Sequence, residues 1–405
     1  MLRIGLIGKT NAGKTTFFNS VTLKEAEISN YSFTTKEPGK GIAYVTAPCV
    51  CREFGVQDEP INSRCINGWR YIPVEVWDLP GLIRGASVGR GLGTKFLSIA
   101  ATSDALVHVV DISGSIDEEG HAAEPGSGDP GRDYEEIEGE LIIWYKGIIE
   151  KNREKITKLV KEAKGDEKAA IRAIAAPLGG IKVSSTDVAS SLISLKLDPN
   201  DFRHWTDREL WTFASKIREI SKPTLVLANK MDIPISSVNY KSFREAHSDM
   251  MIVPASSDAE LVLRRAEESG VISYNPGDES FAITNEGILN ERQKRALNFI
   301  NKFVMKELMR TGVQFALNVL VFKLLRMNVV YPVADVKRLA DKKGRVLPDA
   351  YLMAEGSDIT DLARSVHSDL VKGLLFGIDA RSGLRLPPTY KLKDRDIVNL
   401  VSASR

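Results

Sequence analysis

The chain has 405 residues, enough for two or three domains of ordinary size. Hydrophobic residues make up 43% of it and charged residues 27%, a mixture typical of globular proteins. The 55 Lys and Arg residues nearly balance the 53 Asp and Glu residues, which excludes a uniformly basic protein and an acidic disordered chain.

The cysteine content and the amino-terminal residues bear on location. Three cysteines are too few for a disulfide scaffold and favour a reducing compartment, so we expect a cytoplasmic protein. The first residues run directly into a predicted strand without secretory-signal features, and the apolar stretches are shorter than a membrane span. We therefore expect no membrane partner.

Short apolar runs predict the strands of a parallel sheet. They cover residues 2–7, 72–77, 105–110 and 223–228, each followed by Gly, Asp or Asn, with a weaker run at 250–254. Strands buried on both faces and separated by helical stretches are typical of an α/β fold. Ligands of such folds bind beyond the carboxyl ends of the strands, where the polar motifs of this chain lie.

The remaining segments are mainly helical. A loop rich in Gly, Asp, Glu and Pro is predicted at 114–131, followed by a long charged helical stretch at 134–174 and helices from 186 and over 206–220. A basic helix is predicted from Asn290 to about Met309. The last 75 or so residues indicate a small α+β unit, with strands at 346–353, 374–378 and 397–401 and one helix after Asp358.

The first predicted strand leads into a phosphate-binding loop. Residues 8–15 fit the pattern GxxxxGK(S/T) between a strand and a helix, the context in which backbone amides bind phosphate oxygens. Lys14 is predicted to reach the β- and γ-phosphates and the Thr15 hydroxyl to bind Mg²⁺. The residues expected to contact the nucleotide here are Gly8, Lys9, Thr10, Asn11, Ala12, Gly13, Lys14, Thr15 and Thr16.

A DxxG motif, Asp78 to Gly81, follows the strand at 72–77. Asp78 is placed to hold Mg²⁺ through water, and the Gly81 amide to contact a γ-phosphate and respond to its loss. A threonine between the two motifs could complete the magnesium shell. Thr35 is the preferred candidate, although the residues alone leave Thr34 open.

Two segments after the later strands indicate recognition of a purine base. Asn229, Lys230 and Asp232 fit NKxD, in which the aspartate accepts hydrogen bonds from guanine N1–H and the 2-amino group. Adenine lacks both donors and would leave Asp232 unpaired, at a cost of order 1–3 kcal/mol. Ser256 and Ser257 follow the fifth strand, where a backbone amide could meet the guanine oxygen. Guanine is therefore the predicted base.

Together these motifs indicate a GTP-binding domain, and longer stretches resemble one family. The segments NYSFTT at 30–35, DLPGLIRGA at 78–86 and GRGLGTKFL at 89–97 resemble the Obg/YchF GTPases. The resemblance extends over essentially the whole chain. The resemblance implies a P-loop G domain with a parallel sheet, a helical insertion and a C-terminal β-grasp (ubiquitin-like, TGS) domain. The expected boundaries are 1–120 and 221–275 for the G domain, 121–220 for the insertion, 276–327 for a basic helical linker and 328–405 for TGS.

The resemblance also implies catalytic properties. Leu82 occupies the position where many GTPases have a water-orienting glutamine, which implies slow intrinsic turnover. Asn11 matches an asparagine that holds a potassium ion in K⁺-activated relatives, so K⁺ joins Mg²⁺ as an expected cofactor, with simple loop packing as the alternative. The residues expected to act in catalysis are Lys14, Thr35, Gly81 and Asn11.

We predict a monomeric, Mg²⁺-dependent GTPase that acts as a conformational switch linked to ribosomes or translation. One alternative is an RNA- or ribosome-binding regulatory module with incidental hydrolysis. Another is an ATP-preferring Obg-like NTPase, although such members have an altered base motif and this chain keeps NKxD. A small-molecule kinase is disfavoured, because NKxD has no purpose there.

Cys49, Cys51 and Cys65 could ligate a metal with a fourth donor. No histidine lies near them, however, and the spacing is not that of a zinc ribbon. The sequence therefore favours buried or loop thiols.

Overall fold

The computed structural model describes residues 1–22, 38–81 and 93–403, without the side chains of 93–95 and 286. Two compact units are present: one comprises Met1–Leu2, Ile42–Glu75 and Leu317–Arg405, the other Arg3–Gly41 and Val76–Ala316. The four-part division expected from the sequence stays a prediction.

The strands alternate with helices through most of the chain. The strands are β1 (Arg3–Ile7), β2 (Gly39–Pro48), β3 (Arg64–Ile66), β4 (Trp69–Asp78), β5 (Ala105–Asp111), β6 (Thr224–Asn229), β7 (Ile252–Pro254), β8 (Ile272–Ser273), β9 (Ala282–Ile283), β10 (Met327–Val333), β11 (Tyr351–Ala354), β12 (Leu374–Asp379), β13 (Arg385–Leu386) and β14 (Ile397–Ser402). The α-helices are α1 (Lys14–Thr22), α2 (Cys51–Phe54), α3 (Gly93–Thr102), α4 (Pro130–Lys151), α5 (Arg153–Glu162), α6 (Glu167–Ala175), α7 (Ser185–Leu195), α8 (Asp207–Ser221), α9 (Ser236–Ala246), α10 (Ser257–Glu268), α11 (Glu291–Ile300), α12 (Lys306–Leu308), α13 (Val313–Asn318), α14 (Ile359–Val366) and α15 (Ser368–Gly373).

The predicted parallel sheet is confirmed. Within the described residues it has seven strands in the order β2-β4-β1-β5-β6-β7, with β3 paired to β4. The pairs β1–β5, β5–β6 and β6–β7 are parallel, and β5 is buried along its whole length. Asp111 pairs with Asn229 and Ala228 with Pro254, so the carboxyl ends of β5, β6 and β7 meet at one edge of the sheet.

Two strands of this sheet were not predicted. β2 and β3 precede β4, and β4 itself is longer than the predicted run at 72–77. β2 alternates buried and partly exposed positions and carries Gly39, Gly41 and Pro48, residues that weaken any strand signal. An apolar-run criterion therefore misses it, because only one face of the strand is fully buried.

The helical insertion is present, but its predicted long helix is divided. The stretch 134–174 forms α4, α5 and α6, with breaks at Asn152 and around Gly165. Asn152 leaves the helical conformation and its side-chain amide donates to Ile148 O (2.8 Å), and Gly165 has a positive φ of 86°. The helices predicted from 186 and over 206–220 are confirmed as α7 and α8, each opened by a capping box.

The C-terminal residues form a five-stranded sheet in the order β11-β10-β14-β12-β13. α14 buries Ile359 and Leu362 against Val330 and Val398, an arrangement compatible with a β-grasp domain. The sequence did not predict β10 and placed the start of β11 too early. The single helix predicted after Asp358 is also wrong, because the backbone becomes extended at His367 and separates α14 from α15.

Among the described residues, no helix combines the length and apolar character needed to cross a bilayer.

His108 lies in the middle of β5 and is a core residue, with 1% of its surface exposed. Its Nδ1 lies 3.2 Å from Glu138 Oε1, and Glu138 is bound by Arg218 at 2.7 Å. Burial lowers the pKa of His108 despite the attraction of Glu138, so folding favours the neutral imidazole. The unfolded chain instead takes up a proton near its ordinary pKa of 6.5.

We therefore expect stability to fall as the pH drops below the unfolded pKa, because there the unfolded state binds the extra proton. The unfolding free energy is expected to be higher at about pH 7.5 than at about pH 5.5. The substitution His108→Gln should reduce this difference by up to about 1.4 kcal/mol. Urea denaturation at the two pH values measures this. His204→Gln, at an exposed histidine that contacts Asp201, is the control and should change the difference by less than the His108 substitution does. An undiminished pH dependence in the His108 variant would contradict the account.

Candidate functional site

The loop at 8–13 connects β1 to α1, and the ammonium of Lys14 lies inside it. Lys14 Nζ donates to Gly8 O (2.9 Å) and Lys9 O (2.7 Å), and the residue is only 6% exposed. Burial lowers the Lys14 pKa to about 8, partly opposed by the negative charge of Asp78. The lysine is thus held at the loop by carbonyl oxygens, in position to meet an anionic ligand.

Thr15 and Asp78 meet at this end of the sheet, as the sequence predicted. Thr15 Oγ1 donates to Asp78 Oδ2 over 2.7 Å, and Asp78 Oδ1 is buried without a hydrogen-bond partner among the described residues. Burial raises the pKa of Asp78, while Thr15 and Lys14 act in the opposite direction. A hydroxyl beside a carboxylate with an unsatisfied oxygen is a donor set that suits Mg²⁺.

Gly81 packs directly against the phosphate loop. A Cβ at this position would lie 2.4 Å from Thr10 Oγ1 and 2.8 Å from Thr10 N, so only glycine fits without a shift. The DxxG motif therefore contacts the phosphate loop at both of its ends, through Asp78 and through Gly81. Thr34, Thr35 and Leu82 lie outside the described residues, and their predicted roles stay predictions.

Contacts from the first turn of α4 and from the segment before it reach the same loop. Lys9 Nζ bonds Asp133 Oδ1 at 2.5 Å, and Asn11 Nδ2 donates to Gly120 O at 2.8 Å. Burial raises the pKa of Asp133, and the Lys9 ammonium partly offsets this. Sequence reasoning missed Asp133 and Gly120, because neither belongs to a motif and their contacts are more than 100 residues away along the chain.

Asn229 joins the phosphate loop to the helix that follows β7. Its Nδ2 donates to Ala12 O (3.0 Å) and its Oδ1 accepts from Ser257 N (3.1 Å). A Cβ on Gly13 would lie 2.2 Å from Asn229 Nδ2, and Gly13 has a positive φ of 101°, so this position also requires glycine. The asparagine of NKxD thus fixes the spacing between the two halves of the site.

The other residues of the base motif have separate partners. Lys230 Nζ bonds Asp111 Oδ2 (2.8 Å) and Ser115 Oγ (3.0 Å), whereas Asp232 Oδ1 accepts from Ser256 Oγ (2.6 Å). Asp111 was missed by the sequence analysis, although a carboxylate that ends a buried strand at this edge is a usable signal. Burial and the nearby Asp232 charge raise the pKa of Asp258.

The first three backbone amides after β7 have partners within the protein. Ala255 N donates to Ala228 O (2.9 Å), Ser256 N to Thr311 O (2.8 Å) and Ser257 N to Asn229. Ser256 also caps α10 by accepting from Ala259 N. A guanine oxygen at this edge would therefore compete with Thr311 O for the Ser256 amide.

This combination of a phosphate loop, an Asp78–Thr15 pair and an NKxD motif on one sheet edge defines a P-loop GTPase. Two family models match the chain: a "50S ribosome-binding GTPase" over residues 3–137, and an "Obg-like GTPase YGR210-like, G4 motif-containing domain" over residues 227–335. An uncharacterised GTP-binding protein of Methanocaldococcus jannaschii is 42% identical over 100% of both chains. The protein belongs to the Obg-like, YchF-type GTPase family.

Two further comparisons extend this assignment. The crystal structure of a GTP-binding protein from Pyrococcus horikoshii is 34% identical, covers 99% of this chain and 100% of its own, and superimposes with a TM-score of 0.77. A Bacillus subtilis protein named ribosome-binding ATPase YchF is 36% identical over 169 residues, which are 41% of this chain and 42% of that protein. GTP binding by the chain follows from the family.

Replacing Asn229→Ala should destabilise the nucleotide-binding unit even without a ligand. The change leaves Ala12 O and Ser257 N without their partner, at a cost of about 1–3 kcal/mol for buried polar groups. Urea denaturation in the absence of nucleotide measures the loss. Asn229→Asp should also destabilise, because a carboxylate cannot donate to Ala12 O.

The exposed Asn301 provides the matched control, and Asn301→Ala should change stability by less than about 0.5 kcal/mol. Equal stability of the Asn229 and Asn301 variants would show that the bridge does not hold the two halves of the site together.

Proposed function

We propose that the protein hydrolyses GTP to GDP and phosphate with Mg²⁺ and uses the reaction as a conformational switch in the cytoplasm. The observation that supports this best is the Asn229 bridge, because it holds the phosphate loop and the base motif at a fixed spacing on one sheet edge. A nucleotide that occupies both ends spans that spacing.

In the proposed mechanism each residue has one task. Lys14 exchanges its loop carbonyls for β- and γ-phosphate oxygens, and Asp232 accepts the two donors of guanine. Thr15 and Asp78 would hold Mg²⁺, which when bound neutralises charge on the phosphates. Water attacks the γ-phosphorus and the bond to the β-phosphate oxygen breaks, which releases GDP. Thr35 and Gly81 are proposed to respond to the departure of the γ-phosphate.

Phosphate release from GTP and ATP by the full chain tests the base assignment. GTP should be the better substrate, and Asp232→Asn should lower kcat/KM for GTP by about 10- to 100-fold, because an amide nitrogen cannot accept from guanine. The same variant should gain activity with xanthosine triphosphate, whose 2-oxygen can accept from that amide.

Asp249→Asn, at an exposed aspartate, is the matched control and should leave the nucleotide preference unchanged. Equal turnover of GTP and ATP by the unaltered chain would overturn the guanine assignment and favour the ATP-preferring alternative.

We also propose that GTP hydrolysis depends on potassium, through a contact of the ion with Asn11. Its Nδ2 bond to Gly120 O leaves Oδ1 as the atom that would ligate a cation beside the phosphates. Turnover should be faster in potassium than in sodium, and Asn11→Ala should remove the difference. Indifference of the unaltered chain to the two salts would show that Asn11 only packs the loop.

A second candidate function is a ribosome- or RNA-binding module whose nucleotide site is regulatory. Its support is α11 and the helical residues 301–305 after it, where Arg292, Arg295 and Lys302 are exposed and the rings of Phe299 and Phe303 are partly exposed. The two rings lie 5.0 Å apart, and Lys302 Nζ lies 4.9 Å from the centre of the Phe303 ring. Basic and aromatic side chains together are typical of RNA-binding surfaces. The name of the Bacillus subtilis relative makes the ribosome the preferred partner.

Co-sedimentation with ribosomes at graded salt tests this candidate. Reversing Arg292, Arg295 and Lys302 to Glu should reduce binding and flatten its salt dependence, because fewer phosphate contacts release fewer counterions. Reversal of the exposed Lys155, Lys158 and Lys161 in α5 is the matched control. Equal binding by both triple variants would exclude α11 as the interface.

A further inference from the structure

The three cysteines converge with an aspartate in the unit that contains residues 42–75 and the C-terminal sheet. Cys49 precedes α2, Cys51 begins it, Cys65 lies in β3, and Asp58 lies in the loop between α2 and β3. Their four potential ligand atoms all lie within 4.8 Å of one another. Cys51 Sγ is 3.8 Å from Cys65 Sγ, and Cys49 Sγ is 3.3 Å from Asp58 Oδ2.

Local backbone structure sets this arrangement. α2 ends at Gly55, which has a left-handed conformation, and Val56 N then bonds Cys51 O, so the chain turns back toward the start of the helix. Pairing of β3 with β4 places Cys65 opposite Arg70. Residues separated by up to 16 positions are thus brought to one point by a turn and a hairpin.

The surroundings are not those of cysteines that simply fill an apolar core. Arg70 is completely buried, and its guanidinium lies 3.2 Å from Asp58 Oδ2 while donating to Ser63 Oγ and Leu347 O. Arg70 Nε has no hydrogen-bond partner among the described residues. A buried cation of this kind is stable only where negative charge compensates it, and the Asp58 carboxylate supplies that charge.

Two of the six ligand–ligand distances are close to those of a tetrahedral zinc site, and all six are within 4.8 Å. Zinc–sulfur bonds of about 2.3 Å and zinc–oxygen bonds of about 2.1 Å give ligand–ligand edges of about 3.8 Å between sulfurs and about 3.6 Å between sulfur and oxygen. The observed 3.8 Å and 3.3 Å lie within about 0.3 Å of these edges. We propose that Cys49, Cys51, Cys65 and Asp58 bind one Zn²⁺ ion as a structural site.

A thiolate ligand set would carry negative charge that Arg70 offsets in part. Binding of Zn²⁺ by three thiols and one carboxylate releases three protons and leaves a centre with a net charge of about −2. Arg70 lies against this centre and offsets one of the two charges, while its contact with Asp58 orients the carboxylate, as outer-sphere partners of metal ligands do. Thiolates favour zinc over Mg²⁺ or Ca²⁺, so the site is chemically distinct from the Thr15–Asp78 pair.

The fourth donor explains why the spacing of the cysteines did not predict this site. Asp58 belongs to no metal-binding pattern with them, and only the fold brings it to Cys49. The ion would connect the α2 turn, the loop around Asp58 and β3, a region with little regular structure of its own. Its role is independent of nucleotide chemistry, so failure of one proposal leaves the other standing.

Metal analysis of the full chain, produced without a histidine tag, tests the proposal. The protein should hold one zinc per chain, lose it to a chelator and take it up again with release of protons. Co²⁺ added to the stripped chain should give the intense visible bands of a tetrahedral site and a thiolate-to-cobalt charge-transfer band. These measurements need no variant and do not depend on whether a substitution folds.

Variants then identify the ligands. Asp58→Asn and Cys65→Ser should each weaken zinc binding by about tenfold or more and shift the cobalt spectrum. Glu59→Gln changes the neighbouring carboxylate, which lies outside the cluster, and should bind zinc like the unaltered chain. Three free thiols that bind neither zinc nor cobalt would overturn the proposal. A Cys51–Cys65 disulfide in freshly isolated protein that takes up no zinc after reduction would do the same.

Discussion

The side chain of Asn229 sets the dimensions of the nucleotide site. Its amide contacts the phosphate loop at Ala12 and the first turn of α10 at Ser257, two segments that are 245 positions apart along the chain. Position 13 must be glycine, because any side chain there would collide with the Asn229 amide. The phosphate and base ends are therefore parts of a single site, and the parallel register of β5, β6 and β7 brings the remaining residues to it.

The helical insertion is connected to the same site through its entry segment. Lys9 is bound by Asp133 at the start of α4, and Asn11 is bound by Gly120. Two phosphate-loop residues are thus held by residues that belong to none of the nucleotide-binding motifs. Because Lys230 is in turn bound by Asp111 and Ser115, this segment contacts both the phosphate and the base motifs. Of these partners Asp133 lies within the insertion predicted at 121–220, whereas Gly120, Asp111 and Ser115 precede it.

Local sequence signals predicted the elements whose structure is determined by residues close together in the sequence. Strands buried on both faces, the capped helices α7 and α8, and the motifs at strand ends are each encoded within a few residues. β2 was missed because one of its faces is only partly buried, and the helix at 134–174 was predicted too long because Asn152 and Gly165 break it. Asp133, Asp111 and Asp58 were missed for a different reason, since each acquires its role from a partner that is distant in sequence or fixed only by a turn.

The central claim is that the two ends bind one guanine nucleotide, and equilibrium calorimetry with diphosphates tests it without the complication of turnover. GDP and ADP carry the same phosphates, so a difference in their affinity reports the base end alone. GDP should bind the full chain with Mg²⁺ at least about tenfold more tightly than ADP, since adenine leaves the Asp232 carboxylate unpaired. Equal affinity for the two, or a preference for ADP, would contradict it.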